Sequence, residues 1–373
     1  MDFRGKKVAV LGIGIEGRDA VEYLALRSAK VTIFDKKSED ELDLGKISNF
    51  KFQISNGQDY LKDGLNDFDY IVRSPGVRPD LPELIAAKKS GVKITSAINI
   101  FFDRCPAPII GVTGTKGKGT TASLIHECLV VSGKTSYLAG NIGTPYLGLL
   151  DKLKKDDVVV LEISSFQLID IEKSPHIAVV INITTDHLDW HTSRSEYVSA
   201  KTNILKYQTE KDFAILMRDY ETSKSFEKYT KGNVLWASTN EEVKGAYIEE
   251  NGSITLSAKD KVIIGNVKDL ILKGRHNWEN IACAIPAAYL SGATVAGIKK
   301  AVFSFKGLPH RIEFAGGYNG IKFYNDSFAT SSGPTLAAVR SFGEPITLIL
   351  GGSSKKLSYT QMARELARTK NLK

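Results

Sequence analysis

Residues 108–121, PIIGVTGTKGKGTT, constrain this chain more than any other stretch. A short apolar run from Ile109 to Val112 feeds a glycine-rich turn that ends in Lys118 and two threonines. An apolar-periodic segment at 122–131 follows and reads as a helix. Strand, glycine turn, lysine, hydroxyl and helix in that order make a nucleotide-phosphate cradle. The glycines leave backbone N–H groups open to phosphate oxygens, and the helix N-terminus adds its positive end. Lys118 would span the outer phosphates, and a hydroxyl can hold Mg²⁺. Gly119 is off-pattern, standing where serine or threonine usually follows the lysine. A plain glycine-rich strand-to-helix turn is the competing reading.

Strand and helix patterns alternate on both sides of this loop, which implies an α/β chain with parallel sheets covered on both faces. Before it, 6–13, 30–35, 70–73 and 92–95 read as strands, with helices at 18–27 and 82–90. Cys105-Pro106-Ala107-Pro108 is a proline-rich break and a first domain boundary. Beyond the loop, 158–162 and 178–183 read as strands, 233–267 as short β segments and 274–290 as a helix. A second boundary falls at 306–309. After it, 321–325 and 346–350 look like strands, with a helix at 335–340 between them. Three units result, 1–104, 105–306 and 307–373. The last is shorter than the ~100 residues usual for an α/β domain and stops inside a helical pattern, so an incomplete third domain is expected.

Composition narrows the function classes. Apolar residues make up 42% and charged residues 25%, as in an ordinary globular protein. The net charge of +8 comes from scattered lysines, which suits anionic small substrates better than nucleic acid. Cys105, Cys128 and Cys283 are odd in number and form no CxxC, as expected of reduced thiols in the cytoplasm. No apolar stretch approaches the ~18 residues that span a bilayer, so no membrane association is expected.

Gly12-Ile13-Gly14-Ile15-Glu16-Gly17 fits GxGxxG, follows a strand, opens a helix and has Asp35 at the end of the next strand. A dinucleotide, another pyrophosphate ligand such as a UDP-sugar, or ligand-free packing of helix on strand all remain open for it. Downstream, Val158–Glu162 is a buried strand ending in a carboxylate that could reach a phosphate-bound Mg²⁺ or be solvated. NITTDHLD at 182–189 follows another apolar strand and puts His187 and two carboxylates at the same sheet edge, where ligands sit in open α/β sheets. Lys201, on pattern alone, is a surface lysine of a helix. Gly140-Asn141-Ile142-Gly143 either presents an amide to a substrate or simply turns.

Taken together, these segments resemble the Mur ligases, ATP-dependent amide-forming enzymes of peptidoglycan precursor synthesis. The matching pieces are GIGIEG at 12–17, SPGV at 74–77, GVTGTKGKGTT at 111–121, GNIGTP at 140–145 and LEISSFQL at 161–168. NITTDHLDWH at 182–191, SAKTNI at 199–204, GRHNWEN at 274–280, GLPHRIE at 307–313 and YNDSFATS at 324–331 continue the series almost end to end. The resemblance implies three domains: a Rossmann-like UDP-binding domain, a central P-loop ATPase-like α/β domain and a partial Rossmann-like C-terminal domain. SSFQL and GNIG favour the branch that adds D-glutamate to UDP-N-acetylmuramoyl-L-alanine, by a cytoplasmic enzyme expected to be a monomer.

The resemblance also implies roles. Gly14, Ile15, Glu16, Asp35, Lys36 and Ser74 would contact the UDP-sugar, with Asn141, Ser164 and Ser165 near its reacting carboxylate. The loop from Gly114 through Thr115, Lys116, Gly117, Lys118, Gly119 and Thr120 to Thr121 would hold the ATP phosphates. Asn277 and Asn280 would face adenine, while Arg311 and Asp326 would bring the third domain onto ATP. Thr120 and Glu162 would hold one Mg²⁺ and His187 would help to hold a second, with a carbamate on Lys201 as an extra oxygen ligand. A carbamate requires a neutral amine, so the pKa of Lys201 must be lowered. Lys118, Asn141, His187 and Lys201 would be the catalytic set, and Thr330 and Lys355 would meet the amino acid.

Three departures qualify the resemblance. Gly119 removes the usual hydroxyl, as in the related folylpolyglutamate synthases, which passes the metal role to Thr120. Phe328 stands where a lysine is common, and GGSSKK at 351–356 lacks an acid often found there. A Mur-type or folate-type ligase for another amino acid, or a nucleotide-sugar-binding module without turnover, are the rival readings.

Overall fold

Val8, Ala9, Val10 and Leu11 have no exposed surface, so this strand is apolar on both faces, as a helix-covered parallel sheet demands. The computed structural model describes residues 1–62, 64–352 and 359–372. Its first sheet joins β1 (Lys7–Leu11), β2 (Lys30–Asp35), β3 (Phe52–Asn56), β4 (Tyr70–Arg73) and β5 (Lys93–Ser96) in the order β3-β2-β1-β4-β5. Every pairing in it is parallel. Helices α1 (Ile15–Leu26), α2 (Pro82–Lys89) and α3 (Ala97–Arg104) accompany it. The order reverses between β1 and β4, so the turns after these two strands flank the crevice where such sheets take ligands.

The second sheet has nine strands. They are β6 (Ile109–Thr113), β7 (Ser136–Gly140), β8 (Val158–Glu162), β9 (Ile177–Val180), β10 (Phe213–Met217), β11 (Asn233–Ser238), β12 (Gly245–Ile248), β13 (Ser253–Ser257) and β14 (Lys261–Asn266). Their order is β14-β13-β12-β11-β10-β9-β6-β8-β7, and only the β12-β13-β14 edge is antiparallel. Buried side chains of α4 (Lys118–Val131), α8 (Arg275–Leu290) and α9 (Val295–Ser304) share one apolar core with this sheet. Two short helices, α5 (Ser165–Leu168) and α7 (Glu221–Lys224), and the longer α6 (Arg194–Lys206) complete the unit. The turns after β6, β8 and β9 open on one sheet edge, which brings the phosphate loop, Glu162 and the DHLD segment together.

The third unit pairs β15 (Glu313–Tyr318) antiparallel with β16 (Ile321–Asn325), followed by α10 (Ser332–Val339) and α11 (Thr360–Ala367). The strand expected at 346–350 does not form. Only Ile346 bridges, to Leu372, and Ile349 is 91% exposed, so this apolar run has no neighbouring strand to pair with among the described residues. The strand expected at 178–183 stops at Val180, although the Ile181 N–H still donates to the Thr113 carbonyl. Among the described residues no helix is long and apolar enough to cross a membrane.

Candidate active site

The phosphate loop is held open from below by the segment after β9. Asn182 accepts from the Thr115 N–H through its carbonyl (2.7 Å) and from the Lys116 N–H through Oδ1 (2.9 Å). Thr115 Oγ1 accepts from the Thr184 N–H and pairs with the Tyr197 hydroxyl, each at 2.9 Å. Gly117 is left-handed at φ +86°, and a Cβ there would lie 2.0 Å from Asn280 Oδ1, so only glycine fits. No side chain caps α4 at Gly117, which leaves its first-turn N–H groups for an anion. Lys118 folds back onto the Thr115 carbonyl (3.3 Å), and burial pulls its pKa down against the opposing pull of Glu162. Lys116 is paired with Asp186 at 2.9 Å.

Glu162 ends β8 and is 8% exposed. Burial raises its pKa, while Lys118, Arg311, Lys201 and the Asn141 side chain favour the ionised form. The Asn141 N–H also donates to the Glu162 carbonyl (3.2 Å), so the GNIG turn is tied to this strand end. Gly119 now has a physical reason: a Cβ would meet Leu308 Cδ1 at 3.0 Å and Glu162 Oε2 at 3.1 Å. A serine there would crowd the carboxylate, whereas buried Thr120, one residue on, has its own place in the helix.

Lys201 is 1% exposed, not a surface lysine. Its amine donates to the Gly114 carbonyl (3.0 Å) and Thr113 Oγ1 (3.3 Å) and lies 4.9 Å from the Tyr197 ring centre. Burial, and then Lys118, drive its pKa well below the usual lysine value, despite Asp186 and Glu162. His187, at φ +55°, packs edge-on to Phe166, and burial lowers its pKa, leaving a neutral imidazole able to ligate. Among the described residues no three His, Cys, Asp or Glu side chains converge. Glu162 and His187 therefore make no metal cage by themselves, and further donors would be needed.

A cavity of ≈ 320 Å³ joins the phosphate loop to the third unit. Lys116, Gly117 and Thr120 line one side, Asn277 and Asn280 the floor, and Arg311, Asp326 and Phe328 the far wall. Asn280 donates to Asn277 Oδ1 (2.8 Å) and accepts from the Thr121 hydroxyl (3.3 Å). Asp326 accepts from the Ile312 N–H (3.0 Å), and the Arg311 guanidinium lies 4.9 Å from the Phe328 ring centre. Phe328, where the resemblance leads one to expect a lysine, thus has a cation beside its ring. Thr330 is exposed and outside the lining of this cavity. Lys355 lies outside the described residues. A larger groove of ≈ 590 Å³, lined by Tyr60, Leu81 and Glu83 among others, contains none of the expected site residues.

At the first sheet's crevice, the Ser74 hydroxyl donates to the Gly12 carbonyl (2.6 Å) and Asp35 accepts from the Ile13 N–H (2.8 Å). A Cβ on Gly17 would sit 2.0 Å from the Gly12 carbonyl oxygen, which is the close helix-on-strand approach the fingerprint provides. Gly14 has no side chain with which to cap α1, so the first N–H groups of this helix are available to an anion, while Lys36 is exposed beside Asp35. The Glu16 side chain, by contrast, is already engaged: both oxygens accept from the central unit, one from Tyr146 and one from Gln167.

Several residues at these joints escaped sequence reasoning. His191, 2% exposed, bridges Ser165 Oγ (2.9 Å) and Glu196 (3.2 Å), and Arg78 pairs with Glu196 at 3.0 Å. Arg73, fully buried, makes two 2.7 Å contacts with Asp170 and donates to the Ser74 and Val77 carbonyls. The second histidine of DHLDWH was the one signal available for the first cluster; a strand-end arginine gave none for the other.

Comparison with known proteins agrees with this geometry. Residues 112–288 match the Mur ligase middle domain and residues 6–96 the Mur ligase MurD-like, N-terminal domain. A UDP-N-acetylmuramoylalanine–D-glutamate ligase of Acetivibrio thermocellus is 41% identical over 98% of this chain and 78% of its own length. Its namesake in Clostridium tetani is 40% identical over 96% of this chain and 78% of its own length. Among solved structures, MurF ligase from Thermotoga maritima in complex with ADP superposes with a TM-score of 0.57 at 18% identity, covering 98% of this chain and 79% of that one. MurC from the same organism gives 0.57 at 19% identity, over 90% and 77%. These two establish the shared fold. A phosphate loop beside a buried carboxylate and a buried amine, two family domains in register, and relatives matching nearly the whole chain lead to one conclusion: the chain belongs to the Mur ligase family.

Proposed function

We propose that the chain is an ATP-dependent amide ligase that adds D-glutamate to UDP-N-acetylmuramoyl-L-alanine, working as a cytoplasmic monomer with units at 1–104, 105–306 and 307–373. The observation that carries this reading is the convergence of the phosphate loop, Glu162 and Lys201 on one sheet edge, in a chain about 40% identical to relatives of that name.

UDP would lie in the first crevice, its pyrophosphate on the N–H groups of Gly14, Ile15 and Glu16 and its ribose against Asp35, with Lys36 and Ser74 at the rim. The muramoyl-alanine arm would then cross to Asn141, Ser164 and Ser165. ATP would place its phosphates on the N–H groups of 114–121 and on Lys118, its base against Asn277 and Asn280, with Arg311 and Asp326 closing over it. The residues fit Mg²⁺: Glu162 is a buried carboxylate beside the phosphate loop, and the Lys201 amine, buried with no carboxylate within ion-pair distance among the described residues, would become an oxygen donor as a carbamate. Thr120 and Glu162 would hold one Mg²⁺ and His187 would help to hold a second, with a carbamate on Lys201 as an extra oxygen ligand; the two ions would neutralise charge on the phosphates when bound.

A carboxylate is a poor electrophile. The substrate carboxylate oxygen attacks the γ-phosphorus of ATP, ADP leaves, and an acyl phosphate forms. Lys118 and the loop N–H groups offset the charge on the transferring group. The amine of D-glutamate attacks the acyl carbon, a proton is lost from nitrogen, and phosphate departs as the amide forms. Arg311 and Phe328 from the third unit would help to exclude water, which otherwise hydrolyses the acyl phosphate. The test is phosphate release with UDP-N-acetylmuramoyl-L-alanine, ATP and D-glutamate. Lys118→Ala should abolish it; equal rates in the two proteins would refute the assignment.

A further inference from the structure

One side of α1 faces the central unit and carries two carboxylates a helical turn apart, Glu16 and Asp19. Asp19 accepts from the N–H groups of Leu147 (2.8 Å) and Gly148 (3.1 Å). Glu16 splits its two oxygens: one accepts the Tyr146 hydroxyl, the other the Gln167 side-chain amide at 2.7 Å. Gln167 passes the constraint on, because its Oε1 accepts both the N–H of Ser164 (2.7 Å) and the Ser164 hydroxyl (2.9 Å). Tyr146, 1% exposed, directly follows the GNIGTP turn that carries Asn141.

We propose that Glu16 is a positioning residue that fixes the GNIGTP and SSFQL segments of the central unit against the pyrophosphate-binding turn of the first, and so sets the span between the two nucleotide sites. A free carboxylate at the start of α1 would repel a pyrophosphate seated on the same N–H groups. Tied to Tyr146 and Gln167, it is turned away from the ligand and into the joint. Both Glu16 oxygens are engaged, and Gln167 donates to Glu16 through its amide, which leaves its Oε1 to accept from Ser164. Arg73 adds a favourable field and Asp19 an unfavourable one at this carboxylate.

The inference rests on the ligase reading, and the experiment separates the two. Glu16→Gln is tolerated, because its amide can donate to the Tyr146 hydroxyl oxygen while its carbonyl still accepts from Gln167; Glu16→Leu removes both acceptors and leaves the Tyr146 hydroxyl and the Gln167 amide without this partner. The expected result for Glu16→Leu is a kcat lowered about 10- to 100-fold, the scale of a small misplacement of reacting groups. The Kd for the UDP-substrate should stay within about threefold, because the side chain does not touch it. Combining Glu16→Gln with Gln167→Glu keeps every donor–acceptor pair and should retain most of kcat. Tyr146→Phe, which keeps the ring, should show the same split on a smaller scale and serves if Glu16→Leu does not fold. Loss of UDP-substrate affinity with kcat intact, no change in either variant, or a double variant no better than Glu16→Leu would each overturn the proposal. Wild-type protein without turnover would instead overturn the ligase reading.

Discussion

Lys201 is the residue whose replacement separates structure from chemistry most cleanly. Lys201→Met keeps the stem and removes the amine, so the Gly114 carbonyl loses its 3.0 Å donor. An unsatisfied buried carbonyl costs about 1–3 kcal/mol. Against this, the amine is buried without an ion-pair partner among the described residues, and an ammonium so placed carries a penalty of several kcal/mol, or is neutralised at a similar cost. The two effects oppose, so thermal unfolding should occur at or slightly above the wild-type temperature. Activity should fall by about 10²–10³-fold, the loss that follows removal of one preorganised group around a transferring charge. Lys201→Ala adds a void, costs about 2–5 kcal/mol more, and should be partly rescued by a short carboxylic acid that supplies the missing oxygens. Phosphate release and thermal unfolding read the two quantities separately. A Met variant with near wild-type turnover would end the carbamate assignment, and a strongly destabilised one would mean that the amine is a structural cation.

Other outcomes follow from the same contacts. Gly119→Ser should cost about 1–3 kcal/mol through crowding of Leu308 and Glu162 and should lower kcat more than it weakens ATP binding; a stable, fully active variant contradicts this. Arg73→Leu leaves Asp170 without its partner. Because Asp170 is 26% exposed, the loss should be near the low end for a broken buried pair, about 3 kcal/mol by denaturant titration. Burial raises the Glu16 carboxyl from 4.5 to about 7, and Asp19 to about 6, with Tyr146 and Arg73 opposing at Glu16. A raised carboxyl favours the folded state below its unfolded pKa, and that contribution is lost as pH rises through the folded value. Unfolding temperature should therefore decline more steeply between about pH 4.5 and 7 in wild type than in Glu16→Gln, and identical slopes would argue against it.

The phosphate loop, the strand-end Glu162 and the GxGxxG turn were legible because each is a local pattern whose chemistry is set by residues a few positions apart. Lys201 was legible only through family resemblance, since its helix gives no hint that the amine is buried. Glu16 and Gln167 are 151 residues apart, and Arg73 and Asp170 are 97 apart, so their pairing exists only once the two sheets are docked. The apolar run at 346–350 misled for the opposite reason: its composition suits a strand, but pairing needs a partner, and among the described residues only Ile346 finds one.

The central claim is that one phosphoryl transfer and one amide bond are made on the sheet edge shared by Lys118, Glu162 and Lys201. Mass spectrometry of the UDP product after incubation with ATP, Mg²⁺, UDP-N-acetylmuramoyl-L-alanine and D-glutamate tests it directly. The expected result is a single glutamyl addition with one phosphate released per product, absent without ATP and in Lys118→Ala. No glutamyl product, or addition of a different amino acid in preference to D-glutamate, would contradict it.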